Sequence, residues 1–303
     1  NLGLLAAAIL RGVGDTVLPL VFMGVGVAVN AVLDPLLIIG IGPFPRLGLN
    51  GAAYASVAGQ VVSMVIALRY LRKQISMVAL KPEKFIFDKP LIFLIFKLGL
   101  PSAVQQSLIS IGAAVITSFV NSFGASATVA FGAASRIDMV VSMLASSLGM
   151  AASVLTGQNL GAQKPERVRE VFKWGIIMTS GVTLALSAIV IRFPEAILSM
   201  FVHDAEVLDI GSTYLRISGA GYIFFAVMFI SNGIINGAGN TMFTMILSLL
   251  SLWAIRVPLA AVLTKTSLGI SGIWLSVIIN YAIVMTVSLA YYYSGRWKRK
   301  VKL

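Results

Sequence analysis

Eight apolar runs, each long enough to cross a bilayer, divide this chain and fix its fold class more firmly than any single motif. A membrane helix needs roughly 20 mostly apolar residues to span about 30 Å of hydrocarbon. Runs of that length fall near 17–41, 48–72, 91–120, 126–158, 168–193, 207–236, 241–264 and 269–294, behind a shorter apolar stub over 1–10. The breaks have turn compositions, among them Gly12-Val13-Gly14-Asp15-Thr16, Gly42-Pro43-Phe44-Pro45 and Lys164-Pro165-Glu166. In lipid each backbone polar group must be satisfied within its own segment. Runs this long therefore predict an all-α polytopic membrane protein. Charged residues make up only 11% of the chain, against about a quarter in soluble proteins, which excludes a soluble domain.

The same inventory argues against an enzyme. There is no cysteine and a single histidine, His203, so neither a thiolate nor a histidine metal centre is expected. Gly157-Gln-Asn-Leu-Gly161-Ala-Gln-Lys164 lacks the spacing of a phosphate loop. The opening Leu2-Gly-Leu-Leu-Ala-Ala-Ala-Ile-Leu10 fits neither a signal peptide nor a complete span, so the chain is expected to begin inside a helix.

Net charge is +12, and its distribution matters more than its size. Seventeen Lys and Arg fall on one side of the predicted spans and three on the other, while Arg136, Arg216 and Arg256 lie within spans. Cytoplasmic loops carry the excess of positive charge, so the C-terminus is expected in the cytoplasm. The basic clusters are accounted for without a nucleic-acid partner.

An internal repeat organises the spans. Gly12-Val-Gly14-Asp15-Thr16 returns as Gly237-Ala-Gly239-Asn240-Thr241, Pro35 returns as Pro258, and Leu47-Gly48-Leu-Asn-Gly51 returns as Leu268-Gly269-Ile-Ser-Gly272. The second copy contains six spans and the first only its last two plus the stub. The expected architecture is therefore two pseudo-symmetric six-helix lobes related by an axis along the membrane normal, one arrangement of secondary transporters. The first lobe is incomplete here and the second complete. The correspondence leaves about 135 residues expected ahead of the chain, about 440 in all, and the chain alone is not expected to transport. Residues 1–75 are assigned to the end of the first lobe, 76–90 to a cytoplasmic linker, and 91–303 to the second lobe with its basic tail.

These residues carry a family resemblance. Leu10-Arg-Gly-Val-Gly-Asp-Thr16, Pro19, Asn30-Ala-Val-Leu-Asp34-Pro35 and Gly48-Leu-Asn-Gly-Ala-Ala53 look like the fourth-to-sixth helix region of the multidrug and toxic compound extrusion (MATE) family. Leu98-Gly-Leu-Pro101, Ala134-Ser-Arg136-Ile and Gly157-Gln-Asn-Leu-Gly-Ala162 resemble its second lobe. The resemblance implies an antiporter that expels amphipathic, often cationic, drug-like compounds through a cleft between lobes, using a proton or sodium gradient and no other cofactor.

An ionisable residue within a span is costly and marks function by default. Asp34, Arg136, Asp138, Arg216 and Arg256 all fall at one depth, in the outer half of the bilayer, as if lining a polar chamber. Asp34 precedes Pro35, which frees a backbone carbonyl, and Asn30 shares its helix face. Withdrawal from water favours the neutral form of a carboxylate, which lets a gradient load and unload a proton. The Asn30–Asp34 spacing resembles the proton-linked site of one MATE branch, although the partner aspartate on that branch's first helix has no counterpart in this chain. Asp34 as a permanently paired helix cap is the competing reading.

Asp138 lies on a stripe with Ser135, Ser142, Ser146, Gly149 and Ser153, which reads as a packing seam or a cavity wall. Arg216 is expected to pair with Asp209, and Arg256 occupies the place equivalent to Asp34, as a structural residue or an anion contact. Gln105, Gln106, Met139 and Met143 complete the substrate-cavity candidates. Another MATE branch carries a glutamate on the helix of Gln105, where this chain has no acidic residue, so a second-lobe sodium site is not expected. The rival reading is a lipid-linked oligosaccharide flippase of the same broader fold, in which the three intramembrane arginines would serve a pyrophosphate. A monomer in a bacterial or archaeal plasma membrane is expected.

Overall fold

The computed structural model describes residues 2–74 and 88–298. Most of the expected linker over 76–90, and the last basic residues of the tail, lie outside the described residues. Among the described residues, eight helices are long and apolar enough to span a membrane, over Val17–Gly40, Leu49–Leu71, Lys89–Asn121, Ala125–Gly161, Pro165–Arg192, Ala205–Gly237, Thr241–Leu263 and Ile270–Tyr293. Each lies within a few residues of an apolar run in the sequence. The chain forms an all-α polytopic membrane fold of two compact units, Asn1–Asp88 and Lys89–Leu303.

The first unit comprises α1 (Leu2–Val13), α2 (Val17–Pro35), a π-helical turn (Leu36–Gly40) and α3 (Leu49–Gln74). At the end of α1, Gly14 takes φ +100°. Its N–H donates to Arg11 O at 3.0 Å, and that of Asp15 to Leu10 O at 3.0 Å. The Asp15 carboxylate then accepts from the N–H groups of Val17 and Leu18, both at 3.1 Å, and so starts α2. Helices α2 and α3 approach closely because glycine faces glycine. A Cβ on Gly26 would stand 2.9 Å from Gly59 O.

The second unit contains α4 (Lys89–Asn121), α5 (Ala125–Gly161), α6 (Pro165–Arg192), the short α7 (Pro194–Leu198) and α8 (Ala205–Gly237). There follow α9 (Thr241–Leu250), a π-helical segment (Ser251–Arg256), α10 (Val257–Leu263), α11 (Ile270–Tyr293) and a 3₁₀ turn (Arg296–Lys298). Helix α8 is the core element, packed against α5, α6 and α11, with more than half of its most apolar stretch buried. Small residues let it approach α5: a Cβ on Gly233 would collide with Gly149 O, and one on Gly237 with Ser153 O. The Gly149–Ser153 part of the small-residue stripe is thus a helix seam. Phe131 stacks on Trp274 at 5.4 Å, and Tyr214 meets the same indole edge-on at 4.6 Å.

The repeat is visible in backbone geometry as well as in sequence. At the end of α8, Gly239 (φ +82°) donates to Asn236 O at 2.9 Å and Asn240 N–H to Ile235 O at 3.1 Å. This is the α1 ending displaced by 225 positions. Gly48 and Gly269, at φ +55° and +50°, likewise each accept from the glycine N–H three residues on, Gly51 at 3.0 Å and Gly272 at 3.1 Å.

Candidate functional site: two intramembrane carboxylate clusters

In the first unit, the close approach of α2 and α3 brings Asn30 opposite Ser56. The Asn30 amide donates to the Asp34 carboxylate at 3.3 Å and lies 3.3 Å from the Ser56 hydroxyl. The amide is assigned with its oxygen toward α3, which lets it accept from Ser56 Oγ at 3.3 Å and Ser56 N–H at 3.1 Å while its nitrogen serves Asp34. Every polar atom of the amide then has a purpose. Pro35 cannot donate to the Ala31 carbonyl four residues earlier, and the chain continues as the π-helical turn over Leu36–Gly40. Such wide turns often mark functional positions.

Asn30 and Ser56 also line a groove of 710 Å³ between α1, α2 and α3. Its walls are apolar, with Phe22, Met23, Val27 and Met64 prominent, and Gln60 adds a further polar group. The size and the few polar groups match those of small-molecule sites.

A second cluster surrounds Asp138 on α5. Tyr222 Oη donates to one carboxylate oxygen at 2.7 Å, and Tyr214 Oη donates to the other. Both tyrosines are buried on α8, eight residues apart on one face with Ser218 between them. Asp138, Ser142, Ser218, Tyr222 and Tyr281 border a cavity of about 20 Å³, close to the space one water needs. Arg256 lies within electrostatic reach of Asp138 and Tyr281. Its Nε is buried without a hydrogen-bond partner among the described residues.

Asp138 and Arg256 come together within the second unit, whereas Arg136 and Arg216 lie on exposed surfaces. Arg136 stands 5.5 Å over the Phe201 ring. Arg216 pairs with Glu195 at 3.5 Å rather than with Asp209. Helix α7, which begins at Pro194, carries Glu195 back onto α8, a tertiary placement that spacing along α8 alone does not contain. Gln105 is tied to α9, donating to Ser248 Oγ at 2.7 Å and Thr244 O at 3.4 Å. Gln106 is exposed on α4, and Met139 and Met143 are 64% and 60% exposed on α5. Ser56, Tyr214, Tyr222 and Tyr281 were not among the expected site residues. The Tyr214-Ser218-Tyr222 spacing is the sequence signal that marks α8 as a polar partner for an intramembrane aspartate. Among the described residues no group of three His, Cys, Asp or Glu could hold a metal ion.

The family model described as MatE matches residues 101–262, more than half of the chain. The chain belongs to the MatE family. Among its relatives, the probable multidrug resistance protein YoeA of Bacillus subtilis is 32% identical over 300 residues, covering 96% of this chain and 64% of the relative. The probable multidrug resistance protein NorM of Thermotoga maritima is 28% identical over 301 residues, covering 98% and 64%. The chain thus spans 64% of the length of each of these curated relatives. Among solved structures, a MATE protein in its bent conformation superposes with a TM-score of 0.88 at 23% identity, covering 97% of this chain and 64% of that one. That likeness shows the MatE fold. The family match lies within the second unit, while the relatives' alignments reach into the Asn30–Asp34 region as well.

Proposed function

We propose that this MatE chain forms the larger part of a secondary multidrug efflux antiporter that exports amphipathic or cationic compounds in exchange for protons. Asp34 is the coupling carboxylate and Asn30 its positioning partner. The observation that carries the reading is the Asn30–Asp34–Ser56 cluster at the rim of a 710 Å³ apolar groove. An apolar wall accepts varied hydrophobic bodies, and a carboxylate beside it responds to a proton gradient. The names of the relatives, multidrug resistance proteins, support the same substrate class. The protein resides in a prokaryotic plasma membrane as a monomer, with its C-terminus in the cytoplasm, in keeping with the seventeen-to-three partition of basic residues.

The flippase reading has less support. A pyrophosphate needs free guanidinium groups, and here Arg136 lies over Phe201, Arg216 pairs with Glu195 and Arg256 sits near Asp138.

The test uses the complete protein in proteoliposomes and follows export of a cationic dye under an imposed pH gradient, with and without Asp34→Asn. Loss of gradient-driven export with dye binding retained is the expected result. Normal export by the variant would assign Asp34 to architecture. Absence of dye movement in the wild type under either a proton or a sodium gradient would favour the flippase.

A further inference from the structure

We infer that Asp138 is a second proton site, in the second unit, whose protonation reverses one hydrogen bond of a phenol clasp between α5 and α8. The site rests on geometry alone; only the use made of its proton rests on the antiporter reading. Asp138 accepts from Tyr214 on one oxygen and Tyr222 on the other. That arrangement suits an ionised carboxylate, an acceptor at both oxygens. A protonated carboxyl donates from one oxygen, so the hydrogen bond to one phenol must reverse, that phenol's oxygen accepting and its own O–H turning away from Asp138.

The groups that face Asp138 fit a proton and oppose a metal ion. From α8 come the two phenols and Ser218, from α5 itself Ser142, from α11 Tyr281, and from the π-helical segment Arg256. Helices α4 and α6 carry charged side chains only toward their ends, and Arg136 on α5 itself is engaged with Phe201. A metal cation would have to displace hydroxyl donors already aimed at the carboxylate, and would lie within reach of a guanidinium. The adjoining cavity of about 20 Å³ gives no room for a hydrated ion. Neutralising Asp138 also removes the counter-charge of Arg256, whose buried Nε has no hydrogen-bond partner among the described residues. Proton uptake at one residue is thereby transmitted to α5, α8 and the π-helical segment together.

Infrared difference spectroscopy on the purified complete protein tests this without reference to transport. The C=O stretch of a protonated carboxyl is followed across about pH 4 to 9, a range bracketing carboxylates that proteins perturb strongly. A titrating band is expected in the wild type and in Asp34→Asn, and none at that position in Asp138→Asn. Tyr222→Phe removes one hydrogen bond to the charged form and is expected to change the midpoint about tenfold in proton concentration. Should Asp138→Asn fail to fold, Tyr222→Phe decides alone, because an unmoved midpoint overturns the assignment. A band unchanged in Asp138→Asn, the absence of any titrating band, or a band that responds to sodium at constant pH and not to protons would each overturn it too.

Discussion

Replacing Gly233 by alanine adds one methyl group at a point where α8 meets the backbone of α5, and the surroundings of that methyl set the outcome. Its nearest neighbour would be the Gly149 carbonyl oxygen, with the Gly149 carbonyl carbon at 3.0 Å and its Cα at 3.2 Å. All three are backbone atoms of a helix, so no side-chain rotation relieves the clash and the two helices must separate. Overpacking of this kind costs about 1–3 kcal/mol. Against it stands the gain of replacing a helical glycine, up to about 1 kcal/mol. Gly132→Ala supplies the reference. It lies on α5 with nothing within 4 Å of its would-be Cβ, so it collects the gain without the clash. Thermal unfolding of the complete protein in detergent is expected to place Gly233→Ala below Gly132→Ala by several degrees, at about 2–4 °C per kcal/mol for a unit of this size. Equal stability of the two variants would refute the claim that the α5–α8 seam is held at backbone contact.

Two further outcomes are expected from the packing of the second unit. Gln105→Leu removes the 2.7 Å hydrogen bond to Ser248 that ties α4 to α9; it is expected to lower unfolding stability by about 1 kcal/mol while leaving dye binding intact, read by thermal unfolding and dye fluorescence on the same preparation. Trp297→Ala empties a site in which the indole is 1% exposed, stacks on Tyr292 and donates to Tyr292 O at 2.8 Å. A loss of about 3–5 kcal/mol is expected, measured by unfolding and by proteolysis after α11.

Hydropathy made the eight spans legible because the bilayer imposes a length that the sequence must meet. The paired glycine motifs made the repeat legible because φ near +80° excludes most other residues. Asn30 and Asp34 were legible as a pair since four residues along a helix place two side chains on one face. Their partner Ser56 was not, for it arrives from α3 through the Gly26–Gly59 contact. Asp138 stood out as a charge in a span, but Tyr214 and Tyr222 lie 76 and 84 residues away in sequence. Only the packing of α8 against α5 makes them its donors. Arg216 misled for the same reason: helical spacing offered Asp209, and the turn at Pro194 delivered Glu195.

The two wide turns give the repeat a further meaning. In the first unit the π-helical turn over Leu36–Gly40 follows Asp34 and Pro35, whereas in the second the segment Ser251–Arg256 precedes Pro258 and ends on Arg256. One extra residue in a helical turn sets every later side chain back by about 100° around the axis. Asp34 is displayed before its wide turn and Arg256 at the end of its own, so positions that align in sequence look out in different directions. An ancestral duplication could thus give its copies separate tasks by moving a phase slip a few residues along one helix, with the surrounding fold left alone. In proteins built this way, correspondence between halves is a matter of angle as much as of alignment.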